Sequence, residues 1–156
     1  MKATLLHSLP AFDALMTWYD LRDTVLPFLG ERLADLFSHA ISAGTDCLIC
    51  STYFRKALTD AGENPDELSL DEREQAVVEL GQRLAQPSAR VPDELYTRLA
   101  ASFTDEQIVA LTAFGAMMVA TNVVNNALDV ELDEYLLGYR REDGGKRTAD
   151  SGKGDR

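Results

Sequence analysis

The sequence predicts an all-α protein, a single compact helical domain, on three observations. Apolar residues recur at three- and four-residue intervals along nearly the whole chain. Two segments open with the Ser/Thr-x-x-Glu/Gln pattern of a helix capping box. No stretch of useful length alternates apolar and polar residues as a half-buried strand would, and no period of 20 to 50 residues repeats.

The elements follow in order. In PAFDALMTWYDLRDTVLPFLG, Phe12, Leu15, Met16 and Tyr19 share one helical face, with Trp18 as a packing anchor, and Pro27 with Gly30 marks the end. ERLADLFSHAIS continues with Leu33, Leu36, Phe37, Ala40 and Ile41 on one face. Ala43-Gly44-Thr45-Asp46 breaks that run and offers Thr45 or Asp46 as the N-cap of a helix reaching about Ala61. A loop at Gly62-Glu63-Asn64-Pro65 leads to Ser69-Leu70-Asp71-Glu72, read as a capping box for the helix of Ala76, Val77, Leu80 and Leu84, which Gln86 and Pro87 end. Pro92 starts a short helix through Leu95 and Leu99. Thr104-Asp105-Glu106-Gln107 is the second capping box, opening IVALTAFGAMMVATNVVNNAL. That segment is apolar nearly all round, which places it at the centre or in a subunit contact, with Met117 and Met118 as filler. Three amides interrupt it, Asn122, Asn125 and Asn126, and any that are buried need partners. A last short helix is expected around Glu131 to Leu137, so the helical domain spans 1–138. The remainder, 139–156, has almost nothing apolar to dock and is expected to be a flexible tail.

With 156 residues, 46% hydrophobic and 26% charged, the composition is that of one globular domain. The net charge is −11, and since residues 140–156 hold six basic and four acidic residues, the body carries nine basic against 22 acidic. Phosphate backbones and anionic lipids are repelled by such a body, so neither nucleic acid nor a membrane surface is an expected partner. The apolar runs are expected to fall short of the roughly 20 residues of a membrane span. The first 20 residues do not read as a secretory leader, and the expected compartment is the cytoplasm.

GTDCLICSTYFR, residues 44–55, holds both cysteines, Cys47 and Cys50. A reducing compartment makes a structural disulfide an unlikely use of a lone pair, and catalytic or sensing chemistry the usual one. At i and i+3 on a helix the two side chains are neighbours close enough to bridge with slight tightening. At a helix start, unpaired amides and the dipole favour a thiolate. The competing reading is a core stripe, since Cys47, Cys50, Phe54, Ala57 and Ala61 share one face and free cysteine is often buried. The two cysteines with His7 and His39 lack the paired spacing of a zinc site, and no metal or cofactor is expected.

The run from Glu31 to Asn64, with FTDEQIVALTAFGAMMVATNVVNNAL, resembles the carboxymuconolactone decarboxylase family, and within it the alkylhydroperoxidase-D-like branch. That branch carries a glutamate, eleven residues, Cys-x-x-Cys, three residues and a histidine. Here Asp35 stands at the glutamate position, Cys47 and Cys50 form the dithiol, and Phe54 takes the histidine's place. The resemblance implies an all-helical homo-oligomer that reduces hydroperoxides. One cysteine passes through a sulfenic acid, the other resolves it, and a dithiol reductant protein or a lipoyl-type dithiol recycles the pair. Phe54 cannot relay a proton, and its ring should raise the neighbouring thiol's pKa. His39, one turn after Asp35 on the polar stripe Arg32, Asp35, His39 and Ser42, is the candidate replacement, against the reading of that stripe as a solvated face. Tyr53 is a further candidate donor, though packing with a wet tip is the plainer role.

Three functions compete: a dithiol peroxidase acting on a hydroperoxide or another small oxidant, with Cys47, Cys50, Asp35 and His39 as its site; a thiol-disulfide exchange or redox-sensing protein; and a helical oligomeric binding protein that has lost catalysis. Sulfurs sealed from any cavity would favour the last.

Overall fold

The computed structural model describes residues 2–141, and every regular element among them is helical. A single turn, α1 (Lys2–Leu5), precedes α2 (Leu9–Leu29), α3 (Glu31–Gly44), α4 (Leu48–Asp60), α5 (Glu72–Leu84), α6 (Asp93–Ala100) and α7 (Asp105–Ala127), and a 3₁₀ turn covers Glu134–Tyr139.

Helix α3 is the hub, packing against α2, α4, α5 and α7. It reaches that position because its apolar stripe is broad: Leu33, Ala34, Leu36, Phe37, Ala40 and Ile41 are all buried. Phe37 stacks at 5.9 Å between ring centroids on Phe114 of α7, and Phe114 in turn meets Trp18 of α2 at 5.5 Å. Trp18 also points its indole N–H at the Met118 sulfur, which ties α2 to α7 as the anchor role required.

Several helix starts differ from expectation, each for a visible reason. The second capping box is present as read, Thr104 with Gln107. The first is Asp71 with Glu74, two residues beyond Ser69 and Glu72. Both pairs fit the pattern, but the Ser69 carbonyl accepts from Arg32, and Arg32 also pairs with Glu74 and Glu63, which holds residue 69 outside the helix. Pro92 is the N-cap of α6 rather than its first residue. The last element is a 3₁₀ turn three residues later than expected.

Helix α7 buries Ile108, Leu111, Phe114, Gly115, Met118, Thr121, Asn122 and Asn125. Its opposite face, Val109, Ala113, Ala116, Ala120, Val123 and Ala127, is exposed, so the helix is not enclosed all round. By length and apolar composition it is also sufficient for a membrane span, contrary to the expectation that the apolar runs were too short. The amides and threonines that interrupt it leave the average hydropathy high, while its buried face lies on α2 and α3.

Of the expected tail, residues 142–156 lie outside the described residues. Tyr139, its first residue, docks on α4: the hydroxyl donates to Asp60 and Lys56 sits over the ring at 5.2 Å.

Candidate functional site

The site is built by the turn between α3 and α4. Helix α3 runs on to Gly44, and Thr45 closes it with its amide on the Ile41 carbonyl. Asp46 then adopts φ +52°, in the left-handed region where aspartate is among the tolerated residues. The reversal makes Cys47 the N-cap of α4 in place of Thr45 or Asp46. A thiol thus occupies the position where serine, threonine or aspartate would accept the first free amides of a helix.

Three asparagines of α7 clamp this turn. Asn122 donates to Thr45 Oγ1 at 2.8 Å and to Ser42 Oγ at 3.3 Å, and Asn126 donates to the Thr45 carbonyl at 2.9 Å. Asn125 donates to Cys50 Sγ at 3.3 Å and lies 3.8 Å from Cys47 Sγ, so one carboxamide nitrogen serves both sulfurs. Ser42 is fully buried here and faces α7, so the stripe Arg32, Asp35, His39 and Ser42 is not one solvated face. Its last member belongs to the amide network.

The two thiols are driven apart. Cys47 is lowered from 9.0 to about 7: the Cys50 thiol donates to it, and the amides of Cys50 and Ile49 and the Asn125 carboxamide support the anion against the cost of burial. Cys50 is raised, because it donates its proton to Cys47, is buried, and faces the negative charge developing there. The pair shares one proton, held on Cys50. Phe54, 4% exposed, belongs to the same buried core as the two cysteines, with Tyr53 edge-on at 5.1 Å.

Cys47 exposes no surface to bulk water, but it forms part of the wall of a cavity of about 160 Å³. Leu48, Ile49, Asn125, Asn126 and the segment Asp129 to Leu132 complete the wall. Cys47 therefore borders a cavity, although Cys50 does not line it; both sulfurs sealed from any cavity would have favoured a scaffold that has lost catalysis. Asn125 Oδ1 is buried and finds no donor among the described residues, which leaves one strong acceptor beside the dithiol.

The remaining candidates have other neighbours. Asp35 is raised from 3.8 to about 6, chiefly by burial, with Arg22 opposing and Glu31 reinforcing. His39 is lowered by burial and by the Arg55 charge, and it borders a separate cavity of about 320 Å³ with Arg55, Asp66 and Arg141. Neither makes a described hydrogen bond to a sulfur; that contact belongs to Asn125. The asparagine was singled out in the sequence only as an amide in need of a partner. The available signal was its spacing: 122, 125 and 126 lie on one face of the helix end. Among the described residues, no three His, Cys, Asp or Glu side chains gather as a metal site would need.

The helical fold has a counterpart among solved structures. A crystal structure of a protein of unknown function from Agrobacterium tumefaciens, assigned provisionally as the antioxidant defence protein AhpD, superposes with a TM-score of 0.70. The match covers 83% of this chain and 95% of the other at 20% identity. The fold is AhpD-like. At that identity the likeness concerns the AhpD-like fold alone. No protein-family model matches the sequence, and no curated protein matches it.

Proposed function

We propose that the chain is a dithiol peroxidase in which Cys47 attacks a hydroperoxide and Cys50 resolves the product. The observation that carries this is the Asn125 carboxamide, which serves both sulfurs at the wall of the Cys47 cavity. The antioxidant assignment given to the Agrobacterium protein with the same fold is consistent with it.

The Cys47 thiolate attacks the terminal oxygen of ROOH, forming an S–O bond and breaking the O–O bond. Asn125 Oδ1 accepts the hydroperoxide O–H and so aims that oxygen at the sulfur. Cys50 gives its proton to the departing RO⁻, which leaves as ROH. The Cys50 thiolate then attacks the Cys47 sulfenic acid, and the expelled hydroxide takes a proton from solvent to leave as water. In sum, two thiols and ROOH become a disulfide, ROH and water. An external dithiol, a reductant protein or a lipoyl-type dithiol, restores the pair, a cycle suited to a reducing compartment such as the cytoplasm. In this scheme the proton duty of the missing histidine falls to Cys50 and Asn125. Asp35 and His39, expected as site residues, have no step.

The test is thiol loss in the reduced protein on adding tert-butyl hydroperoxide. Cys47→Ser should abolish it, and Cys50→Ser should stop at a sulfenic acid that dimedone traps on Cys47. Retention of both thiols, or peroxide consumption by Cys47→Ser at the parent rate, would sink the proposal. A second reading, thiol-disulfide exchange or redox sensing, is favoured by Phe54, whose apolar ring offers no proton path. It calls for rapid exchange with a dithiol and no acceleration of peroxide reduction.

The homo-oligomer implied by the resemblance would form on the exposed stripe of α7. Its six residues repeat every three and four positions, carry no charge, and are small enough for close approach of a second copy.

A further inference from the structure

Among the described residues, the side-chain amide of Asn125 has the two sulfurs as its hydrogen-bond acceptors, Cys50 Sγ at 3.3 Å and Cys47 Sγ at 3.8 Å. Its Oδ1 is buried without a donor, and the residue is 3% exposed. The dithiol thus supplies all the described hydrogen bonding of a carboxamide that is removed from bulk water. Cys47 is also the N-cap of α4, where the amides of Cys50 and Ile49 support charge on its sulfur.

These contacts belong to one oxidation state. In a Cys47–Cys50 disulfide neither sulfur carries charge or a proton, and a neutral sulfur is a much weaker acceptor than a thiolate. Oxidation therefore leaves the Asn125 carboxamide, and the first amides of α4, without strong partners. A buried amide that loses its acceptor costs a factor of roughly 5 to 100 in an equilibrium. At pH 8, Cys47 lowered to about 7 is mostly ionised in the folded chain and mostly protonated in the unfolded one. That favours the folded dithiol by roughly tenfold more, an effect lost as pH falls through 7. The opposing effect, constraint of the unfolded chain by the disulfide, is smallest for short loops and is on the order of 20-fold for residues 47–50.

We propose that Asn125 ties the fold to the reduced dithiol, so that the Cys47–Cys50 disulfide is an oxidant that a monothiol of the glutathione class suffices to reduce. One monothiol attacks a sulfur of the disulfide, forming a mixed disulfide and releasing the other cysteine. A second monothiol breaks the mixed disulfide, so that two RSH and the disulfide become RSSR and the dithiol. The inference rests on the dithiol of the peroxidase reading and names the class of its reductant, but neither sulfur needs to react with peroxide. Asn125 acts here as a positioning residue that distinguishes the two oxidation states.

The test contains no peroxide, so its failure is distinct from that of the peroxidase reading. The full chain is unfolded in urea, oxidised with diamide and refolded, which makes entry of an oxidant into the folded site irrelevant. Urea unfolding at pH 8, followed by circular dichroism, then compares this disulfide form with the dithiol form kept in a phosphine. The disulfide form should unfold at lower urea, with an unfolding equilibrium constant roughly tenfold larger at a given urea concentration. Reduced glutathione should convert the folded disulfide more completely than the urea-unfolded one at the same ratio of reduced to oxidised glutathione. Asn125→Ala should close or reverse the gap between the two forms, and Asn125→Ser takes its place if the alanine variant does not fold. A disulfide form as stable as the dithiol form overturns the proposal. So does a gap unchanged by the substitution, or a folded disulfide that glutathione does not reduce.

Discussion

Asn125 places one carboxamide nitrogen 3.3 Å from Cys50 Sγ, bringing α7 into contact with the dithiol from 75 residues away in sequence. The same nitrogen lies 3.8 Å from Cys47 Sγ, within reach of its second N–H. A donor with two hydrogens and two sulfur neighbours stabilises whichever sulfur carries the charge. Alkylation of Cys47 by iodoacetamide should therefore rise with pH through about 7, where an ordinary thiol rises near 9.0. Asn125→Ala should move that midpoint upward by roughly half to one pH unit, since a hydrogen bond to a charged group is strong but this one is shared. Asn125→Asp should move it the same way by replacing a donor with an anion. A midpoint unchanged in both variants would show that the amides of α4 and the Cys50 thiol suffice without α7.

Asp35 makes a prediction about stability and not about chemistry. Its carboxyl is held up at about 6 in the folded protein against 3.8 as the ordinary value, mostly by burial. A group that binds its proton more tightly when folded favours folding fully below about pH 4, and that contribution is lost as pH rises through 6. Above pH 6 the folded chain bears a partly buried carboxylate. Asp35→Asn removes it and should stabilise the protein at pH 7 by on the order of 1 to 2 kcal/mol, discounted for the water that still reaches the side chain. The gain should vanish below pH 4. Thermal melts of parent and variant at pH 4 and 7 decide the matter, and a gain equal at both would refute the assignment to this carboxyl. Peroxide reduction should survive the same substitution, and His39→Gln as well, since neither residue has a step in the proposed cycle.

The exposed face of α7 predicts an assembly. Val109 and Val123 are 69% and 56% exposed, and the alanines between them leave an uncharged strip on a chain of net charge −11. Mutual repulsion of two such copies is least along that strip. Ala116→Glu places a carboxylate in its middle without touching the buried side, so the fold should persist while the particle dissociates. Sedimentation equilibrium should report a multimer for the parent and a monomer for the variant. A monomeric parent removes the proposal.

Local signals recovered most of the helices, because capping, periodicity and proline positions act over four or five residues. The Thr104 box and the length of α4 follow directly from such spacing. The start of α4 was misplaced because nothing in Thr45-Asp46-Cys47 announces that Asp46 will turn left-handed. That turn is fixed from outside by Asn122 and Asn126, and long-range hydrogen bonds leave no local pattern. The dithiol was legible from its own spacing, whereas the group that touches it was not. The family signature directs attention to positions 35 and 54, with His39 as a stand-in for the histidine, whereas here the contact to the sulfurs comes from a different helix.

Gly44 links the packing of the fold to the geometry of the site. A Cβ added there would lie 2.7 Å from the Ala85 Cβ at the end of α5, closer than side-chain carbons approach. Alanine has no rotamer with which to yield, so relief requires the backbone of α3 or α5 to move. Gly115 offers a contrast: its added Cβ would meet Leu84 Cδ1 at 2.5 Å, the end of a side chain that can rotate, although the Phe37 ring at 2.8 Å is less free. Gly44→Ala should therefore cost about 1 to 2 kcal/mol net, an overpacking strain of up to ~3 kcal/mol offset by the better helix propensity of alanine. Because residues 45–47 follow directly, the displacement should also loosen the Thr45 clamp and raise the kinetic pKa of Cys47. Gly115→Ala should destabilise by a similar amount yet leave the thiol profile unchanged. Urea unfolding and iodoacetamide pH profiles on the two variants separate the effects. Equal thiol profiles in both would mean that the α3–α4 turn is held by the α7 asparagines alone.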